Sequence, residues 1–97
     1  VCISPSRFFV HKDIQKKFTE VAVESARALK VGNGLEPGVE IGPMFEKKAM
    51  DGTLELIGDA RAKGASVLTG GKRDGRFDKG YFFEPTVLTG LSADAKV

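Results

Sequence analysis

The stretch KDIQKKFTEVAVESARALKV, Lys12 to Val31, decides the fold class. Ile14, Phe18, Val21, Ser25 and Leu29 recur at spacings of 4, 3, 4 and 4, which places them on one face of a helix. Lys16, Lys17, Glu20, Glu24 and Arg27 occupy the other side, with Lys16 and Glu20 spaced for an i,i+4 ion pair. The spacing predicts a helix near residues 12–30, with Gly32 as its left-handed cap. Before it, Arg7-Phe8-Phe9-Val10 is a short apolar run and reads as a strand near residues 7–10.

Beyond the helix, residues 32–43 hold four glycines and two prolines and read as loop. A second helix is expected from about Phe45 to Lys63, with Met50, Leu54 and Ile57 on one stripe. Gly52 and Gly58 each cost that helix about 1 kcal/mol relative to alanine. Close packing, ligand approach and sequence drift all remain open as reasons for them. Gly64 ends the helix, and Ala65 to Thr69 reads as a strand stopped by Gly70-Gly71. Tyr81-Phe82-Phe83 and Thr86-Val87-Leu88-Thr89 read as extended segments around Pro85, which cannot donate to a ladder. Strands alternating with two long helices make an α/β fold, and helix-covered sheets of that kind pair in parallel with strands of the parent.

Composition bounds the rest. Ninety-seven residues make one domain at most. An apolar share of 41% and a charged share of 29% describe an ordinary globular chain rather than a disordered one. Fifteen basic and thirteen acidic residues are interspersed, and no basic run exceeds two residues, so no nucleic-acid partner is expected. No apolar stretch approaches the roughly 20 residues of a membrane span, so no membrane partner is expected. One cysteine and one histidine build neither a disulfide nor a zinc site, which leaves the metal expectation at none and favours a reducing, cytoplasmic compartment. A start of Val-Cys-Ile-Ser, without methionine, suggests a chain that begins inside a longer one.

Taken alone, Cys2 is more readily a small hydrophobe than a nucleophile. A nucleophilic cysteine needs a lowered pKa or a nearby base, and the sole histidine, His11, sits across the expected strand. His11 therefore reads as a surface residue. Residue chemistry by itself stops at an α/β piece with one thiol.

Five segments carry more. Cys2-Ile3-Ser4-Pro5-Ser6-Arg7, followed by the apolar run and Asp13-Ile14, opens the series. Val31-Gly32-Asn33-Gly34, Ile41-Gly42-Pro43-Met44, Lys63-Gly64-Ala65 with Leu68 and Gly70-Gly71, and Gly80-Tyr81-Phe82-Phe83-Glu84-Pro85-Thr86-Val87 follow in order. Singly each is ordinary loop punctuation. In register over nearly the whole chain, they resemble the catalytic domain of NAD(P)-dependent aldehyde dehydrogenases, from the nucleophile onward. Ala93-Asp94-Ala95-Lys96-Val97 and Lys48-Ala49 are similar to succinate-semialdehyde dehydrogenases within that family. Some of those enzymes carry a second, redox-active cysteine two residues after the nucleophile; here that position is Ser4.

The resemblance implies that residues 1–97 are part of a catalytic domain whose nucleotide-binding domain lies outside this chain. It implies that Cys2 attacks an aldehyde, that Val1 and Ile3 line the substrate funnel, and that NAD or NADP accepts hydride in the parent. The oxyanion asparagine and the base glutamate of the family lie upstream, and a Glu-x-x-Phe-Gly-Pro element follows the position of Val97. Two positions of the second helix that contact cofactor in relatives, as Gln and Lys, are here Ala49 and Gly52, so this chain is assigned no cofactor-binding residue. Ser6, Arg7, Gly42, Pro43, Pro85 and Thr86 are expected to shape turns and anchor strands, with Arg7 pairing a carboxylate elsewhere in the enzyme. The partners implied are a small aldehyde, the remainder of the protein and further copies in a homo-oligomer. The isolated chain is expected to be inactive. Two rivals share these residues: an acylating or phosphorylated-substrate relative with the same cysteine, and a non-catalytic module that keeps the fold.

Overall fold

The computed structural model describes residues 3–97. Helix α1 spans Gln15–Ala28. It begins three residues after the expected start because a turn intervenes. There the Ile14 N–H donates to the His11 carbonyl at 3.1 Å, and the His11 imidazole accepts the Asp13 N–H at 3.2 Å. His11 is exposed, as expected.

Gly32 is not the left-handed cap of α1. Leu29 is already extended, with φ −64° and ψ 124°. The backbone then pairs with residues 40–41: the Gly32 N–H donates to the Ile41 carbonyl, and the Glu40 and Ile41 N–H groups donate to the Lys30 carbonyl. Val31 and Ile41 thereby form a parallel bridge. Partners across the loop end this helix, so no reversal at a glycine is needed. The ion pair on α1 also differs from the expected one: Lys17, not Lys16, lies 3.9 Å from Glu20, at i,i+3.

Helix α2 spans Lys47–Ala62 and ends on a Schellman motif. Gly64, at φ +94°, donates its N–H to the Arg61 carbonyl, and the Ala65 N–H reaches back to the Ala60 carbonyl. A Cβ added at Gly52 or Gly58 would meet nothing within 4 Å, so these glycines serve no close packing among the described residues.

Strands β1 (Ser66–Thr69) and β2 (Val87–Thr89) pair antiparallel, Ser66 against Thr89 and Val67 against Leu88. The connection between them contains no crossover helix, so it brings β2 back against β1 in the opposite sense. Parallel pairing was expected only with strands of the parent. Residues 7–10, expected as a strand, run without regular structure. A ladder needs a hydrogen-bonded partner, and among the described residues none pairs with them; Phe9 is 98% exposed. The order is therefore α–α–β–β, still an α/β arrangement.

The core lies between α2 and the sheet. Met50 and Ile57 pack with Phe83, and Met44, Val67 and Leu88 surround them. Burial of a side chain such as Ile57 contributes about 1.5–3 kcal/mol. Helix α1 contacts both strands, through Arg27 to the Leu68 carbonyl and Gln15 to the Thr89 hydroxyl, yet buries no residue completely. Its apolar stripe stays half open, with Ile14, Phe18 and Val21 exposed.

Candidate functional site

Cys2 and Val1, the expected nucleophile and one wall of the expected funnel, lie outside the described residues. Ile3, the other wall, is 85% exposed. What the structure gives is the seating of residues 3–10.

Two anchors hold residues 3–10. The Phe8 ring lies 5.7 Å from the Phe18 ring of α1, tilted by 47°. Arg7 Nη2 donates to the Ala95 carbonyl at 3.3 Å and also to the Val97 carbonyl. Sequence reasoning expected a carboxylate partner for Arg7. Within this chain it meets main-chain oxygens of residues 95 and 97, at the far end; the carboxylate was expected elsewhere in the full enzyme.

That far end is itself fastened to α2. Lys63 Nζ donates to the Asp94 carbonyl at 2.6 Å and sits 3.0 Å from Asp59 Oδ1. Asp59 Oδ2 accepts the Lys96 N–H at 2.9 Å. The Lys96 N–H, and then the Lys63 ammonium, hold the Asp59 carboxyl below its ordinary range. Ala95 is buried between these contacts. Asp59 and Lys63 stand at i,i+4 in the sequence, so their pairing was legible; that they grip residues 94–96 was not.

Of the turn-forming motifs, two meet. Gly70 lies at φ +67° against Pro85 and Thr86, where an added Cβ would fall 2.3 Å from the Pro85 carbonyl oxygen. The Gly71 N–H donates to Thr86 Oγ1 at 2.8 Å, and that hydroxyl donates to the Glu84 carbonyl. In the turn between, Asp74 is buried and paired with Arg76, while Arg73 Nη2 donates to the carbonyls of Phe77, Asp78 and Gly80. Together they fix residues 70–86 against the sheet.

A groove of about 680 Å³ runs between residues 6–10, α1 and β2, lined by Arg7, Phe8, Phe18, Leu88 and Leu91 among others. Among the described residues no glycine-rich loop leads from a strand into a helix. Gly32 and Gly34 follow a helix rather than a strand, Ala49 is exposed on α2 with only a methyl group, and Gly52 has no side chain. Among the described residues no group of three potential ligands could hold a metal ion, and no helix is long and apolar enough to cross a membrane.

The aldehyde dehydrogenase family matches the chain over residues 1–97. An NADP(+) succinate-semialdehyde dehydrogenase of Schizosaccharomyces pombe is 38% identical over all 97 residues, which cover 20% of its length. The crystal structure of succinate-semialdehyde dehydrogenase from Burkholderia pseudomallei superposes with a TM-score of 0.92 at 42% identity, over 99% of this chain and 20% of that one. A point mutant of betaine aldehyde dehydrogenase from Staphylococcus aureus, solved in complex with NAD+, gives a TM-score of 0.91 at 34% identity, with 99% and 20% covered. The chain thus spans about one fifth of the length of these relatives. With every residue matched and the α2–sheet core and its turns superposed on solved members, the chain belongs to the aldehyde dehydrogenase family.

Proposed function

We propose that the protein containing this chain oxidises an aldehyde to a carboxylic acid with NAD or NADP, and that Cys2 is its nucleophile. The observation that carries this is the family match over the whole chain, in which Cys2 heads the Cys-x-x-x-Ser-Arg segment. A thiolate suits the task because it attacks carbonyls near neutral pH and later departs from a thioester. Attack forms a C–S bond and a thiohemiacetal, whose oxyanion accepts a hydrogen bond from the Cys2 N–H. A nicotinamide held by the remainder of the protein would supply the hydride acceptor, and Cys2 would then carry the acyl group as a thioester. Hydrolysis then frees the acid and the thiol. Val1 and Ile3 flank the approaching aldehyde.

Residues 1–97 are, in this proposal, part of a catalytic domain, and the dinucleotide is gripped by another. The remainder of the catalytic domain covers the groove beside α1 and its half-open stripe. We place the protein in the cytoplasm as a homo-oligomer. A semialdehyde is the favoured substrate, because the segment Ala93 to Val97 resembles succinate-semialdehyde dehydrogenases and two relatives named above bear that activity in their names.

The test is Cys2→Ala in the full-length protein. Turnover, followed as cofactor reduction with a panel of semialdehydes and betaine aldehyde, is expected to vanish while dinucleotide binding stays near wild type. Turnover retained in that variant would sink the assignment of Cys2. Acyl transfer to a thiol or phosphate instead of water would favour the acylating or phosphorylated-substrate alternative. Absence of any turnover in the wild-type protein would favour the non-catalytic module.

A further inference from the structure

We infer that Asn33 is a site of spontaneous covalent modification: the Gly34 nitrogen attacks its side-chain amide, which is lost to give aspartate and isoaspartate. Asn33 is the one asparagine of the chain, and a glycine follows it. Two aspartates also precede a glycine, Asp51-Gly52 and Asp74-Gly75, and by composition the same ring closure is open to each. The fold separates the three. Asp51 and Gly52 lie inside α2, where the helical ladder holds the backbone, and Asp51 Oδ2 accepts the Lys47 ammonium at 2.6 Å. Asp74 is 3% exposed, with both carboxylate oxygens bonded to Arg76. Asn33 and Gly34 are both exposed and lie outside any helix or strand.

The loop presents the reacting atoms to each other. Asn33 Oδ1 accepts the Leu35 N–H at 3.1 Å, so the side chain folds back along the two peptides that follow it, in a ring that contains the Gly34 nitrogen. The same Leu35 N–H stands where negative charge develops on Oδ1 as the tetrahedral intermediate forms. Among the described residues the Gly34 N–H donates to no acceptor, and a Cβ added at Gly34 would meet nothing within 4 Å, so neither bonding nor packing restrains that nitrogen. In the reaction the Gly34 nitrogen bonds to Cγ and gives its proton to solvent. The Cγ–Nδ2 bond breaks, and the amide takes a proton from solvent and leaves as ammonia. The resulting succinimide consumes one water. Attack at Cγ reopens its bond to the Gly34 nitrogen and leaves aspartate; attack at the main-chain carbonyl carbon leaves isoaspartate, with one more methylene in the backbone. Aspartate keeps the oxygen that accepts the Leu35 N–H. Isoaspartate displaces the main-chain carbonyl that accepts the Glu36 N–H at 2.9 Å, and so loosens the loop whose return to Gly32 ends α1.

The experiment ages the full-length protein at mildly alkaline pH and follows its tryptic peptides by mass spectrometry. Cleavage after Lys30 and Lys47 releases residues 31–47, in which Asn33 is the only side-chain amide. That peptide is expected to gain the mass of an amide-to-acid exchange and to resolve into two products, one of them a substrate for isoaspartyl methyltransferase. Peptides covering Asp51-Gly52 and Asp74-Gly75 are expected to stay free of isoaspartate. Gly34→Pro removes the attacking N–H, and because Gly34 lies outside the left-handed region, proline suits the second position of the 33–36 turn. This variant is expected to lose the mass gain altogether. Hydrogen exchange over residues 30–41 is expected to speed up in the isoaspartate fraction and to stay at its starting level in Asn33→Asp. No mass gain in the folded protein, over a time in which the free peptide 31–47 converts fully, overturns the inference. So does an undiminished gain in Gly34→Pro. If that variant does not fold, the products of the wild-type protein decide, because direct hydrolysis by water yields aspartate alone: isoaspartate supports the ring closure, and its absence overturns it.

Discussion

Alanine at Gly70 and alanine at Gly90 form a matched pair in which backbone strain is common and crowding is not. Both glycines lie in the left-handed region, at φ +67° and +70°. An L side chain there costs about 1–2 kcal/mol. At Gly90 that is the whole penalty, because an added Cβ would come no closer than 3.8 Å to its nearest neighbour, the Gly64 carbonyl oxygen. At Gly70 the same Cβ would lie 2.3 Å from the Pro85 carbonyl oxygen and 2.6 Å from Thr86 Oγ1. Neither neighbour yields easily: one is backbone, and the other is held by the Gly71 N–H. Overpacking of this kind adds about 1–3 kcal/mol, so Gly70→Ala is expected to cost about 2–5 kcal/mol in all. Hydrogen exchange of the full-length protein reads both locally, in peptides covering residues 66–71 and 83–89. Gly90→Ala is expected to speed exchange about 5–30-fold. Gly70→Ala is expected to exceed it by a further tenfold or so, at about 1.4 kcal/mol per tenfold. Equal effects at the two sites would refute the contact between the Gly-Gly turn and Pro85-Thr86.

Two more outcomes follow from the same geometry. Asp59 has a folded-state pKa below its ordinary value, because the Lys96 N–H and then Lys63 bond the charged form. Its contribution is therefore complete above the ordinary carboxylate pKa and disappears as pH falls through the lowered one. Exchange protection of residues 92–97 is expected to weaken on acidification below the usual carboxylate range, and Asp59→Asn is expected to flatten that dependence; an unchanged profile in the variant would rule out the grip. The isolated chain, with aldehyde and NAD+ or NADP+, is expected to reduce no cofactor above a Cys2→Ala control, and to self-associate through exposed Phe8, Phe9, Ile14 and Val21. A monodisperse monomer at high concentration by sedimentation, or cofactor-dependent turnover, would count against this.

What the sequence by itself determined is what local chemistry can determine. The apolar spacing of Ile14, Phe18 and Val21 specified α1, and Met50 and Ile57 specified the buried stripe of α2. Gly64 marked the end of α2, because only a left-handed residue completes that cap without strain. The five ordered segments marked the family, since they record turns whose geometry few residues satisfy. The tertiary structure decided what depends on distant partners. Residues 7–10 have the composition of a strand, and among the described residues no strand pairs with them. Gly32 was read as a cap, yet α1 ends because residues 40–41 return to pair with Lys30 and Gly32. Within this chain Arg7 donates to the Ala95 carbonyl, an acceptor that every residue type carries and no sequence pattern displays. Side-chain periodicity writes itself into a sequence; main-chain acceptors do not, so the seating of residues 7–8 was visible only once the chain had folded.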